Sequence, residues 1–246
     1  MTEPASPGVA GDDVFGEPSG NSDWDAFTDS LILDTGLPSR EHFVTAIVVS
    51  HDGEVWLPAV LTALARQTRP VNSVVGVDNA SQDSSPAVLR ESLGADAVVQ
   101  REVNDGFGSA ASAGFASVAA RQPALPDDVV RWVWLLHDDS APDLTCLERL
   151  LQAADEHPSA DVLGPKILGW HDRRLLLEVG VSIDGDGRRV TGLEQREHDQ
   201  GQHDGVRDVL AVSSAGMLIR QDVWEELAGF DPHLPLYRDD VDFCWR

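Results

Sequence analysis

The feature that most constrains this chain is an alternation of short apolar runs with stretches of helical periodicity, in which each run ends in polar residues. Val44 to Ser50 is a continuous run rich in β-branched residues, Val71 to Val77 leads into Asp78-Asn79, Ala97 to Gln100 is shorter, and Trp132 to Leu136 runs straight into His137-Asp138-Asp139. Runs of this length without polar alternation are those of strands buried on both faces. Between the first two, Glu54 to Gln67 spaces Val55, Leu57, Val60, Leu61 and Leu64 for one helix face, and Pro70 prevents its continuation. A second helix is expected over Pro86 to Leu93 with Ser84 as its cap, and an Ala-rich third over Ser109 to Arg121. Strands alternating with helices require right-handed crossovers and a mostly parallel sheet. In such sheets ligands bind beyond the carboxyl ends of the strands, where the polar residues named above all fall.

After Asp143 the pattern loosens. It predicts a helix to about His157, a strand from Val162 to Leu168, another from Leu175 to Ile183, and a hairpin turn at Asp184-Gly185-Asp186-Gly187. Glu194 to Asp208 reads as a polar loop, Val209 to Ser213 and Met217 to Arg220 as strands around a Ser-Ser-Ala-Gly bend, and Gln221 to Leu227 as a short helix. A last helix begins near Asp239 and the sequence stops at Arg246, the expectation being a domain over 41–246 that is incomplete at its C-terminus. Residues 1–40 are rich in Pro, Gly, Ser and Asp and read as an acidic, mostly disordered leader, within which Leu31-Ile32-Leu33 is an apolar patch able to dock as a strand.

Composition narrows the function. Among 246 residues, 42 acidic against 18 basic side chains give a net charge of -24. Attraction to a phosphate backbone is therefore excluded as a binding principle, and nucleic acid is not an expected partner. The same charge is repelled by anionic headgroups, and no apolar stretch of about eighteen residues exists to span a bilayer, so membrane contact is expected only through parts outside this chain. Two distant cysteines, Cys146 and Cys244, make neither a disulfide framework nor a zinc cluster.

The strongest chemical signal is His137-Asp138-Asp139-Ser140-Ala141-Pro142. Adjacent carboxylates at a sheet's ligand edge are hard oxygen ligands suited to Mg²⁺ or Mn²⁺ held jointly with a diphosphate, and equally a turn that caps the next helix. Asp239-Asp240 is a second acidic pair at a loop-to-helix junction, able to act as a base or simply to favour a helix N-terminus. Gly106 and Gly108 lack the spacing of a dinucleotide fingerprint, and Ser213-Ser214 makes no nucleophile elbow. His51, His171, His198 and His203 show no zinc-like spacing, and Trp224 and Phe230 read as core.

Six segments stand in one order: TAIVVSHDGEVWLPAVLTALARQT, VVGVDNASQDSS, REVNDGFGSAASAGF, WLLHDDSAP, SSAGMLIRQDVWEELAGFD and YRDDVDFCWR. Together they resemble the family 2 inverting glycosyltransferases of GT-A fold, with a lean towards rhamnosyl- and galactofuranosyltransferases. The resemblance implies a single Rossmann-like α/β domain with a mixed, mostly parallel sheet flanked by helices. It also implies that a UDP- or dTDP-linked sugar is the donor and a cell-envelope glycan or lipid-linked acceptor the recipient. Ser50, His51 and Asp78 would contact nucleobase and ribose, Arg101 and Asn104 would border the nucleotide pocket, Asp139 would ligate Mg²⁺ or Mn²⁺, and Asp138 would assist at the ribose or metal. Asp240 would be the catalytic base, oriented by Asp239, and a cytoplasmic location, at the inner face of the membrane in a longer protein, would follow. The family's Asp-any-Asp spacing is not intact, because His137 holds its first position. Two other readings remain open: a non-catalytic nucleotide-sugar-binding or scaffolding domain of the same fold, and a nucleotidyltransferase, which would ordinarily carry a basic Gly-rich loop where this chain has SHDGEVWL.

Overall fold

The computed structural model describes residues 40–120, 122–234 and 238–246. The leader expected over 1–40, with its Leu31-Ile32-Leu33 patch, lies outside the described residues except for Arg40.

Strands β1 (His42–Ser50), β2 (Ser73–Asn79), β3 (Val98–Arg101) and β4 (Val130–His137) alternate with helices α1 (Leu57–Ala65), α2 (Ser85–Leu93) and α3 (Phe107–Ala119). Helix α4 (Cys146–Glu156) is followed by short strands β5 (Val162–Leu163), β6 (Ile167–Leu168), β7 (Leu176–Glu178), β8 (Ser182–Ile183), β9 (Arg189–Val190) and β10 (Leu218–Arg220), then by α5 (Gln221–Glu226) and α6 (Asp239–Trp245). The main sheet runs β3-β2-β1-β4-β10-β5. Its first four strands are parallel, and β10 is antiparallel to both its neighbours.

Alternate residues of the central strands enter two cores. Val44, Ala46 and Val48 of β1 and Trp132, Trp134 and Leu136 of β4 pack against Leu57, Val60, Leu61 and Leu64 of α1 and Leu147, Leu150 and Leu151 of α4. Ile47, Val49, Val133 and Leu135 face the other way, against Ala110, Ala111 and Val118 of α3, Trp224 of α5 and Phe243 of α6. Burying each such aliphatic side chain contributes about 1.5–3 kcal/mol before chain entropy is counted. The small residues of α3 let it lie close to the sheet: a Cβ on Gly114 would sit 2.8 Å from both Ile47 and Val77 methyl carbons.

Several boundaries differ from the sequence expectation, each for a local reason. Helix α1 begins at Leu57 rather than Glu54, because Glu54 is engaged by the next loop, its Oε2 accepting from Ser84 N at 2.9 Å. Ser84 makes no side-chain cap on α2; Asp83 Oδ1 takes the Ser85 amide instead. The strand expected from Val162 to Leu168 is broken at Gly164-Pro165-Lys166 into β5, in the main sheet, and β6, which pairs with β7. The strand expected from Leu175 to Ile183 is likewise broken at Gly180, whose φ is 97°, into β7 and β8. A Cβ at Gly164 would meet Val212 Cβ at 2.4 Å, and one at Gly180 would meet Val209 Cγ1 at 2.4 Å, so both breaks lie where the 209–212 segment crosses in close contact. That segment makes only a bridge, Ala211 to Val181. The hairpin turn forms as expected, joining β8 to β9, with Asp184 Oδ1 accepting from the Asp186 and Arg188 amides.

Candidate functional site

The carboxyl ends of β1, β2 and β4 meet in register, with Ser50 opposite Asp78 and Val49 opposite His137. The loops after β1 and β2 are cross-linked by their own polar groups. Asp52 N donates to Ser81 Oγ at 3.0 Å, Gly53 N to Ser85 Oγ at 2.9 Å, Glu54 N to Asp83 Oδ2 at 2.9 Å and Gln82 N to Asp52 Oδ1 at 2.6 Å. His51 Nδ1 donates to the Asn79 carbonyl at 2.9 Å, which fixes the tautomer. Asp52 and Ala80 hold left-handed backbone at φ 54° and 63°, a conformation that costs a residue with Cβ about 1–2 kcal/mol and is sustained here by that lattice.

Inside this rim lies a carboxylate with nothing to bind. Asp78 is fully buried, and neither of its carboxylate oxygens has a hydrogen-bond partner. An unpartnered buried carboxylate costs several kcal/mol, and this one stands at the carboxyl edge of the sheet. Beside it, Asp138 Oδ2 accepts from His51 N at 2.8 Å, and a Cβ on Gly53 would approach that oxygen to 2.2 Å, so only glycine fits there. Burial pushes the Asp138 carboxyl above its ordinary range, in spite of the His51 amide. Asp139 is exposed and its carboxylate makes no hydrogen bond among the described residues.

On the far flank of β2, Arg101 donates to Asn79 Oδ1 at 2.9 Å, to Asp105 Oδ2 at 2.8 Å and to Ser109 Oγ at 3.0 Å, while Asn79 Nδ2 donates to Asn104 Oδ1 at 2.8 Å. Arg101 and Asn104 thus form one network through Asn79, a residue sequence reading passed over. The network also braces the start of α3, since Gly106 N donates to Asn104 Oδ1 at 3.1 Å.

His137 does not stand with the carboxylates. Its ring packs on Phe107 at 4.2 Å between centroids, its Nε2 shares a hydrogen bond of 3.0 Å with Ser214 Oγ, and burial holds its pKa below the usual value. It is a neutral packing residue that pins the Ser-Ser-Ala-Gly bend. An aromatic chain continues from it, Phe107 to Phe230 at 6.2 Å and Phe230 to Phe243 at 5.3 Å, and carries the position of β4 through to α6. Gly108 permits that chain, because a Cβ there would lie 2.7 Å from Phe230 Cβ.

Helix α6 is preceded by its N-cap residue Arg238, in left-handed backbone at φ 68°, and presents Asp239 and Asp240 in its first turn. Asp239 is buried; desolvation and then the charge of Asp240 push its carboxyl above the ordinary range. Asp240 is partly exposed, with Oδ1 accepting from Val241 N at 2.8 Å. A residue not singled out from sequence completes this side. Glu178, at the end of β7, is 6% exposed; its Oε1 accepts from Ser213 N at 2.9 Å and its Oε2 pairs with Arg189. Its signal in the sequence was a lone acid inside the apolar run from Leu175 to Ile183.

The structure thus gathers Ser50, His51, Asp78 and Asp138 at one edge, ties Arg101 to Asn104 beside it, and joins this edge to Asp239 and Asp240 through His137, the Ser213-to-Gly216 bend and Glu178. Among the described residues, no three or more His, Cys, Asp or Glu side chains form a metal-ligating cluster. A cation of Mg²⁺ type held by one or two carboxylates, with the remaining positions taken by phosphate oxygens and water, needs none, and the unpaired Asp139 with adjacent Asp138 fits that donor set.

A mostly parallel six-stranded α/β sheet with one antiparallel strand and carboxylates at its ligand edge is the GT-A architecture. The family model described as "Glycosyltransferase like family 2" matches residues 41–246, and the chain belongs to that family. Solved structures of similar fold include S. aureus TarS 1-349, at 20% identity and a TM-score of 0.55, covering 82% of this chain and 55% of that one. The same protein in complex with UDP-GlcNAc gives 18% identity and a TM-score of 0.52, covering 82% of this chain and 52% of that one. The mannosyltransferase PcManGT from Pyrobaculum calidifontis, in complex with GDP-Man and Mn2+, gives 15% identity and a TM-score of 0.54, with 81% and 50% covered. This chain therefore spans about half the length of those structures. No curated protein sequence matches it.

Proposed function

We propose that this domain transfers a sugar, with inversion, from a nucleoside diphosphate to a hydroxyl group of a cell-envelope glycan or glycolipid. The observation that carries the reading is Asp78, buried at the end of β2 opposite Ser50 with both carboxylate oxygens unpartnered. A nucleoside supplies the missing donors, base N–H and ribose O–H, and the cross-linked rim holds the pocket in shape before the ligand arrives. Complexes of similar folds with UDP, UDP-GlcNAc and GDP-Man support a nucleotide-sugar donor. Within that class the reading favours UDP- or dTDP-linked sugars of rhamnosyl or galactofuranosyl type, used on the cytoplasmic side of a membrane. Among the described residues no helix is long and apolar enough to cross one.

In the proposed reaction the acceptor oxygen attacks the anomeric carbon from the face opposite the diphosphate. The new C–O bond forms as the bond to the diphosphate oxygen breaks, the electron pair leaves with the diphosphate, and the acceptor proton passes to Asp240. Asp239, buried behind it and with Oδ1 accepting from Asp240 N at 3.1 Å, fixes the start of the helix that carries the base. A divalent cation, Mg²⁺ or Mn²⁺, would be held by Asp139 and Asp138 and would neutralise charge on the leaving group. Asp138 also holds the His51 amide, and Arg101 with Asn104 borders the nucleotide through Asn79.

The second reading, a nucleotide-sugar-binding domain without transfer, draws on His137, which occupies the first acidic position of the family motif and faces the packed interior. Release of nucleoside diphosphate from UDP-, dTDP- and GDP-linked sugars separates the two. Transfer predicts turnover that falls at least a hundredfold in Asp240→Asn while nucleotide binding is retained. Binding without turnover in the parent protein would leave the second reading standing.

A further inference from the structure

Helix α6 docks on the small-sheet segment through Val241, which shares an apolar cluster with Val181 and Ala211. Glu178 lies three residues before Val181 and Ser213 two after Ala211, so the Glu178-to-Ser213 bond closes a ring around the seam on which the first turn of α6 rests. We propose that Glu178 is a positioning residue for the carboxylate base: one oxygen fixes the Ser213-to-Gly216 bend, the other is held by Arg189, and its charge faces Asp240 across that seam. This rests on the reading of Asp240 as base.

The charged groups that meet at Glu178 are few. Arg189 comes from β9 and Asp240 from α6, while the Cys244 thiol near Asp240, pushed up to about 11 by burial, stays protonated. A carboxylate placed only to hold a backbone amide needs no negative neighbour, and like charges brought together in a poorly solvated place resist each other. Burial raises the Glu178 carboxyl, Arg189 opposes that shift and the Asp240 charge adds to it. Arg189 is engaged by Glu178 rather than by Asp240, an arrangement that keeps the base from being neutralised by a strong cationic partner.

The test compares Glu178→Gln, Glu178→Ala and Asp240→Asn in the whole chain. Glutamine keeps an acceptor for Ser213 N and loses the charge, whereas alanine loses both. Release of nucleoside diphosphate from UDP-, dTDP- and GDP-linked sugars is expected to fall at least tenfold in kcat in Glu178→Gln with the donor KM within twofold, and further in Glu178→Ala. The side-chain carboxyl carbon of Glu178, followed by NMR, is expected to titrate at lower pH in Asp240→Asn than in the parent. An unmoved Glu178 titration overturns the coupling, and a Glu178→Gln protein with the parent's kcat overturns the positioning role. If the titration moves but Asp240→Asn still turns over donor, the base assignment fails and the proposal falls with it, a result distinguishable from the first two.

Discussion

The two sides of the site are held by different physics. The loops after β1 and β2 are locked to one another by short-range hydrogen bonds, Gly53 N to Ser85 Oγ at 2.9 Å and Glu54 N to Asp83 Oδ2 at 2.9 Å among them. The opposite side, from Gly164 to Gly216, consists of two-stranded pieces held by tight glycine contacts, one buried glutamate and an aromatic chain to α6. In the proposed reading the first side is a preformed cradle for the nucleotide. The second is a looser assembly whose geometry depends on distant packing, and in the same reading it faces the acceptor.

The largest test of this contrast lies in the aromatic chain. Phe243 is 1% exposed, and Phe243→Ala is expected to cost about 3–5 kcal/mol. At about 2–4 °C per kcal/mol for a domain of this size the melting temperature should drop by roughly 6–20 °C, measured by calorimetry. Loss of stability without any change in nucleotide affinity would show that the cradle stands independently of α6.

Gly180→Ala should come next. The φ of 97° and the Val209 methyl carbon 2.4 Å from the added Cβ together make a cost of about 1–3 kcal/mol, confined to the small sheets. Limited proteolysis should then cleave between residues 180 and 210 faster, and a cleavage pattern spread over β1 to β4 would break the contrast.

Ser85→Ala tests the cradle itself. Ser85 is fully buried and accepts the Gly53 amide, so its removal strands a buried donor at a cost of about 1–3 kcal/mol. Unlike the Gly180 change, this one should weaken nucleotide binding, and titration calorimetry distinguishes them.

The smallest effect concerns pH. The folded Asp239 carboxyl lies above its ordinary value, through burial and then the Asp240 charge. Its contribution to stability is therefore fully present below the unfolded pKa and lost as pH rises through the folded one. Asp239→Asn should flatten the decline in stability as pH rises from about 4 towards neutrality, as measured by urea titration at each pH. A slope identical to the parent's would contradict the desolvated environment assigned to it.

How much of this was legible in sequence follows the same division. The parallel core was readable because β1 and β4 are buried on both faces, so that Val44 to Ser50 and Trp132 to Leu136 show no polar alternation, and the ends of β2 and β4 place Asp78 and Asp138 without further information. The segment after Gly164 was not. Apolar runs there were read as continuous strands, although Gly164 and Gly180 break them where another segment crosses, a contact that depends on residues some thirty to fifty positions away. Glu178 was hidden in the same way, as a charge inside a run whose partners, Ser213 and Arg189, no periodicity connects. Asn79 was overlooked beside Asp78, although its side chain, not that of Asp78, is the one that joins Arg101 to Asn104.

The most direct test of the central claim is the melting temperature of this chain with UDP, dTDP and GDP, each with Mn²⁺ or with EDTA, for the parent, Asp78→Asn and Asp139→Ala. A nucleotide at about a hundredfold its Kd stabilises by roughly 2.7 kcal/mol, a shift of several degrees for a domain of this size. The account predicts that at least one nucleotide raises the melt, that Asp78→Asn abolishes the rise with or without metal, and that Asp139→Ala abolishes only the metal-dependent part. A well-folded parent protein whose melt no nucleotide moves, or an Asp78→Asn protein that responds as the parent does, would contradict it.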